Sequence, residues 1–166
     1  MKKTLVAVAM LGALAAPGMA LANGYHRGAH DGPVLHAGNV PIGYPGEPAL
    51  IDRTIRVSMV DASDHVMGFN PDAIEIAHGE TIQFVLTNEG SGPHDFVMAT
   101  PGEIADHRDE MQGFDDMRHE ADYAVRVEPE ETRTLIWTFA NEGDFEFACL
   151  IPGHYEAGMH GPLTVD

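Results

Sequence analysis

Residues 143–165, "GDFEFACLIPGHYEAGMHGPLTV", decide how this chain folds. The first seven alternate and set Phe145, Phe147 and Cys149 on one face, the period of a half-buried β-strand. The last five, "GPLTV", read as a second strand. Between the two, Pro152, Gly153, Gly158 and Gly161 interrupt regular structure and let the chain fold back over the end of the first. Cys149 is therefore expected to point inward at a strand end, under a loop that carries His154 and Met159.

Outward from this stretch the same period recurs. "RTIRVSMV" aligns Ile55, Val57 and Met59; "TIQFVLTN" aligns Ile82, Phe84 and Leu86; "TRTLIWTFA" aligns Leu135, Trp137 and Phe139. With "AIEIA", "HDFVMA" and "YAVRVE" there are about eight short strands, separated by turn signals such as "NEG", "SGP" and "NEGD". This predicts an all-β fold, a Greek-key β-sandwich of the immunoglobulin-like kind. One segment breaks the pattern. "PGEIADHRDEMQGFDDMRHE", residues 101–120, predicts a short helix and a loop inserted between two strands.

The chain has 166 residues. Residues 1–22 combine a basic start (Lys2, Lys3), an apolar run and small residues at Ala20 and Ala22, which reads as a secretory signal peptide. The run is shorter than the roughly 20 residues that cross a bilayer, so no membrane span is expected and the product is assigned to the periplasm. Residues 23–50 hold six Gly, four Pro and three His without apolar period, and read as a flexible arm. Residues 51–166 then form one domain.

The formal net charge is −17 at pH 7, and both lysines fall in the signal segment, so the exported chain is more acidic still. Such a surface argues against nucleic acid and anionic lipid as partners and suits a basic protein or a cation. A single cysteine excludes an internal disulfide. In an oxidising compartment that thiol is expected to be buried, reactive, paired between chains or bound to metal.

The last loop brings thiolate, imidazole and thioether donors toward one point. That is the donor set of an electron-transfer copper site once a second histidine joins. His94 is best placed to do so, since it begins a strand after the Gly-rich turn "NEGSGP". Other readings of these residues stay open: Cys149 as an inert core residue, a Cys/His nucleophile pair, or a zinc site, for which methionine is a poor ligand.

Taken together, Cys149-x4-His154-x4-Met159, then Gly161-x-Leu163-x-Val165, with His94 upstream, resemble the cupredoxins, or blue copper proteins. The resemblance runs from about Arg53 to Asp166, and is greatest to the small periplasmic cupredoxins associated with copper tolerance. It implies one type 1 copper per chain, held strongly by His94, Cys149 and His154 with Met159 as axial ligand. Many members carry Asn directly after the first histidine; here the residue is Asp95, which would favour Cu(II) if ionised.

Two weaker constellations remain. His107, Met111, Met117 and His119 in the insert offer a second, softer copper site, with His107 and Met111 at i,i+4. Against this stands ordinary packing of Met111 and solvation of the histidines. In the arm, His26, His30 and His36 could gather Cu(II) or Ni(II) loosely, although a plain linker explains them as well. His65, His78 and His160 read as surface residues. The expected roles are copper tolerance or, alternatively, electron transfer to a periplasmic cytochrome or other redox protein. The chain is expected to be a monomer and no enzyme.

Overall fold

The computed structural model describes residues 41–61, 67–111 and 121–166. The signal segment, His26, His30, His36, His65, Met117 and His119 lie outside the described residues. Among the described residues ten strands and one α-helix follow in chain order: β1 (Gly43–Pro45), β2 (Arg53–Asp61), β3 (Met67–Asn70), β4 (Ile74–Ile76), β5 (Thr81–Asn88), β6 (His94–Ala99), α1 (Pro101–Met111), β7 (Ala124–Val127), β8 (Thr132–Phe139), β9 (Gly143–Ala148) and β10 (His160–Val165).

The strands form two five-stranded sheets, ordered β1-β8-β5-β2-β3 and β4-β10-β9-β6-β7. β2 runs parallel to β5, and β4 parallel to β10; the other pairs are antiparallel. The expected β-sandwich is what the chain forms. Alternation drives it: Val57, Met59, Ile82, Phe84, Leu86, Trp137 and Phe139 from one sheet meet Phe96, Met98, Phe145 and Phe147 from the other in a common core. Phe96 lies between Phe84 and Phe147, with ring centroids 5.4 and 5.7 Å away. Each such fully buried ring contributes on the order of 2–3 kcal/mol.

Two strands were not foreseen. β1 is three residues long and contains Gly43 and Pro45, too short to show a period. It nevertheless pairs with β8, Gly43 opposite Phe139, and Ile42 just before it is fully buried. The stretch expected as an arm as far as residue 50 thus joins the sandwich from residue 42. β3, "MGFN", pairs with the end of β2 through Met59 and Phe69. Its glycine hides the alternation.

The helix appears where the insert was expected. Thr100 and Glu103 form a capping box: the Thr100 amide donates to Glu103 Oε2 at 3.0 Å, and the Glu103 amide donates back to Thr100 Oγ1 at 3.3 Å. Ile104 then packs against Val97, Ala99, Ala124, Ala148 and Leu150, a second small core on the outer face of the sheet. This explains why β6 is buried along its whole length rather than on alternate residues. Among the described residues no helix is long and apolar enough to cross a membrane.

Candidate metal centre

The site sits at one end of the sandwich, where β6 starts and β9 ends. β6 and β9 are antiparallel neighbours, with Val97 opposite Ala148. This register brings the residues before Val97 alongside those after Ala148, so the Asp95 amide comes to donate to Cys149 Sγ at 3.3 Å. The loop after Cys149 then turns back on itself. The His154 amide donates to Ile151 O, Met159 N to His154 O, and Cys149 N to Met159 O, each within 3.0 Å. Gly153 and Gly158 take positive φ values of 86° and 98° in this turn, a conformation that favours glycine.

The side chains converge as these bonds require. His94 Nδ1 lies 3.2 Å from His154 Nδ1, and Cys149 Sγ lies 3.4 Å from His154 Nδ1. The donor atoms of His94, Cys149 and His154 all fall within 4.8 Å of one another, the group of three such donors found among the described residues. His94 and Cys149 are fully buried, and His154 is half-buried. Met159 is fully buried in the same core cluster as Cys149.

Burial pushes the Cys149 thiol up to about 12, although the Asp95 amide works the other way. Burial, and then the neighbouring His94, lower the pKa of His154. Left to protons alone, the pocket would hold a neutral thiol facing the neutral imidazole of His154. Two imidazole nitrogens and a sulfur at this spacing, with their polar atoms turned toward one point, suit a soft or borderline cation that replaces the thiol proton. The donor set fits copper.

Three further groups support the site. Asp61, at the end of β2, accepts from His94 Nε2 at 2.6 Å. Burial raises its carboxyl, but the Ser91 amide and hydroxyl and then His94 outweigh this and bring it down to about 2. Glu146 on β9 accepts from the Tyr155 hydroxyl at 2.8 Å and lies 2.9 Å from His160 Nδ1, while the Tyr155 and His160 rings stack at 4.1 Å. Asn88 ties down the turn before His94, donating to Gly92 O and Val127 O and accepting from the Gly90 amide. None of these was singled out from sequence. Asp61 is 33 residues from His94, and no local pattern marks an aspartate at a strand end as a partner of one distant histidine.

Asp95 lies buried, with Oδ2 lacking a hydrogen-bond partner. Burial raises its carboxyl to about 6, offset in part by Arg126 opposite it on β7. Of the insert residues, His107 and Met111 are both buried on α1, so the expected solvation of His107 does not hold. His107 does not belong to the metal-binding group above. His160 is exposed beside Met159, and His78 contacts Ala140 O.

The fold and the Cys/His centre define a cupredoxin. Residues 56–166 match the family described as copper binding proteins, plastocyanin/azurin family, and the chain belongs to it. It is similar to the copper-resistant cuproprotein CopI of Rubrivivax gelatinosus, 43% identical over 140 residues, covering 84% of this chain and 82% of that protein. Among solved structures, reduced auracyanin from Roseiflexus castenholzii has a similar fold: TM-score 0.57 at 21% identity, covering 70% of this chain and 98% of that one. A multicopper oxidase, mgLAC, shares the fold over 38% of its own length and 69% of this chain, with TM-score 0.51 and 19% identity. The protein is a copper-binding cupredoxin.

Proposed function

We propose that His94, Cys149 and His154 would hold one copper, with the Met159 thioether as a fourth donor, and that the protein serves copper tolerance in the periplasm. The observation that carries this reading is the convergence of one nitrogen from each imidazole and one buried sulfur within 4.8 Å of one another. Bound copper would supply one-electron Cu(II)/Cu(I) chemistry. The chain does the rest. Cys149 would give up its proton to bind the metal, and its full burial, in the same core cluster as Phe145 and Phe147, keeps the sulfur from oxidants. His94 is held rigidly from behind, and the loop hydrogen bonds set His154 in place before metal arrives.

The tolerance role is supported by the name of the Rubrivivax relative, by the signal-like start and by the strongly acidic chain. Three strong donors and a thioether would leave no open position for a substrate, so the reading does not include catalysis. Electron transfer is the second reading, favoured by the half-buried His154: its ring reaches toward the surface and offers an electron a short way out. In that case the acidic surface would steer a basic redox partner.

The deciding experiment is an optical and paramagnetic-resonance spectrum of Cu(II)-loaded protein, with Cys149→Ser alongside. An intense visible thiolate-to-copper band, absent in Cys149→Ser, is the expected result; a colourless wild-type complex would overturn the site. The two roles separate genetically. Deletion should raise copper sensitivity if tolerance is the role, and an unchanged sensitivity with rapid electron exchange with periplasmic cytochromes would select the carrier.

A further inference from the structure

Asp61 is the acidic group in direct contact with the buried imidazole. Its Oδ1 lies 2.6 Å from His94 Nε2, and His94 has no exposure to water that could compete. A carboxylate only accepts, so the Nε2 atom must carry the imidazole proton. The lone pair then sits on Nδ1, the atom 3.2 Å from His154 Nδ1.

The carboxylate is itself held from behind. Its Oδ2 accepts from the Ser91 amide at 2.6 Å and the Ser91 hydroxyl at 3.0 Å, which leaves Oδ1 to the histidine. Gly90 makes room: a Cβ there would overlap the Asp61 carboxylate. Asn88 in turn fixes the Gly90–Gly92 turn through two hydrogen bonds and ties it to β7 through a third, to Val127 O. A chain of contacts thus runs from β5 through the turn to Asp61 and on to the ring of His94.

We propose that Asp61 is a positioning residue that selects the Nδ1-donor tautomer of His94 and biases the centre toward Cu(II). The inference rests on His94 being a copper ligand. A carboxylate that accepts a ligand's second N–H strengthens that imidazole as a donor, and its negative charge stabilises the more positive oxidation state. A bias toward Cu(II) suits a protein that retains copper in an oxidising compartment.

The test compares full-length wild-type protein, Asp61→Asn and Gly90→Ala after loading with Cu(II), reading the visible band, the reduction potential and the affinities for Cu(II) and Cu(I). Asn keeps an acceptor oxygen and loses the charge; Gly90→Ala keeps the charge and displaces it. In both, the band should persist while the Cu(II)-to-Cu(I) affinity ratio falls about tenfold, a potential rise of about 59 mV for one electron. An intact band with an unchanged potential in Asp61→Asn overturns the role of Asp61 and leaves the ligand reading standing. A wild-type protein without the band removes both. If Asp61→Asn does not fold, Gly90→Ala decides alone: a raised potential supports the inference and an unchanged one overturns it.

Discussion

Asp95 donates its backbone N–H to Cys149 Sγ at 3.3 Å, while its own side-chain Oδ2 is buried without a partner. One residue thus stabilises the sulfur through its main chain and burdens the fold through its side chain. The amide contact survives any substitution except proline, so the two effects can be separated.

For Asp95 the sign follows from burial. Its folded pKa of about 6 stands above the ordinary 3.8, so the folded state holds a proton more tightly than the unfolded one. Stability is fully present below about pH 4 and is lost as pH rises through 6. Metal-free wild-type protein should lose roughly 2–4 kcal/mol of unfolding free energy to this group between pH 4 and 7. In Asp95→Asn that component should vanish, seen as a flatter pH dependence in urea unfolding. An identical pH dependence in the two proteins would argue against a buried, strained carboxyl.

The two histidines should differ as sharply in stability as they agree in chemistry. His94→Ala strands the Asp61 carboxylate and empties a fully buried position, a loss of roughly 2–4 kcal/mol in the metal-free protein. His154→Ala, half-buried on its loop, should cost under about 1 kcal/mol. Both should weaken copper binding, which isothermal titration against a competing chelator would show.

Tyr155 and His160 bracket the ligand loop through their shared contact with Glu146. Tyr155→Phe keeps the ring stack and removes one hydrogen bond to a carboxylate. The expected cost is about 1–2 kcal/mol in denaturant unfolding, with the copper band retained. Loss of the band would mean that the bond holds His154 itself in place.

The helical insert depends on its first turn. Thr100→Ala removes the hydroxyl half of the capping box and should cost about 1 kcal/mol. Hydrogen exchange should quicken in α1 and leave β5 and β8, the inner strands of the opposite sheet, unchanged.

The amino-acid sequence by itself determined the sandwich and most of its centre. Alternation in β2, β5, β8 and β9 is a local signal, because side chains two residues apart share a face. Cys149 and His154 were legible as well, since they share one loop whose glycines permit the turn that brings them together. His94 was legible more weakly, from its place after a Gly-rich turn at a strand start.

Only the tertiary structure decided what required two distant strands to meet. The β6–β9 register set the Asp95 amide against Cys149, and the parallel pairing of β2 with β5 brought Asp61 to the end where Asn88 and the Ser91 turn stand. The edge strand β1 formed because β8 offered unpaired backbone, which three residues with a glycine and a proline could not announce. The expected solvation of His107 failed because the outer face of the second sheet is covered by α1. Side-chain period says which face is apolar; what covers the opposite face, and which carboxylate reaches which imidazole, depends on packing between elements far apart in the chain.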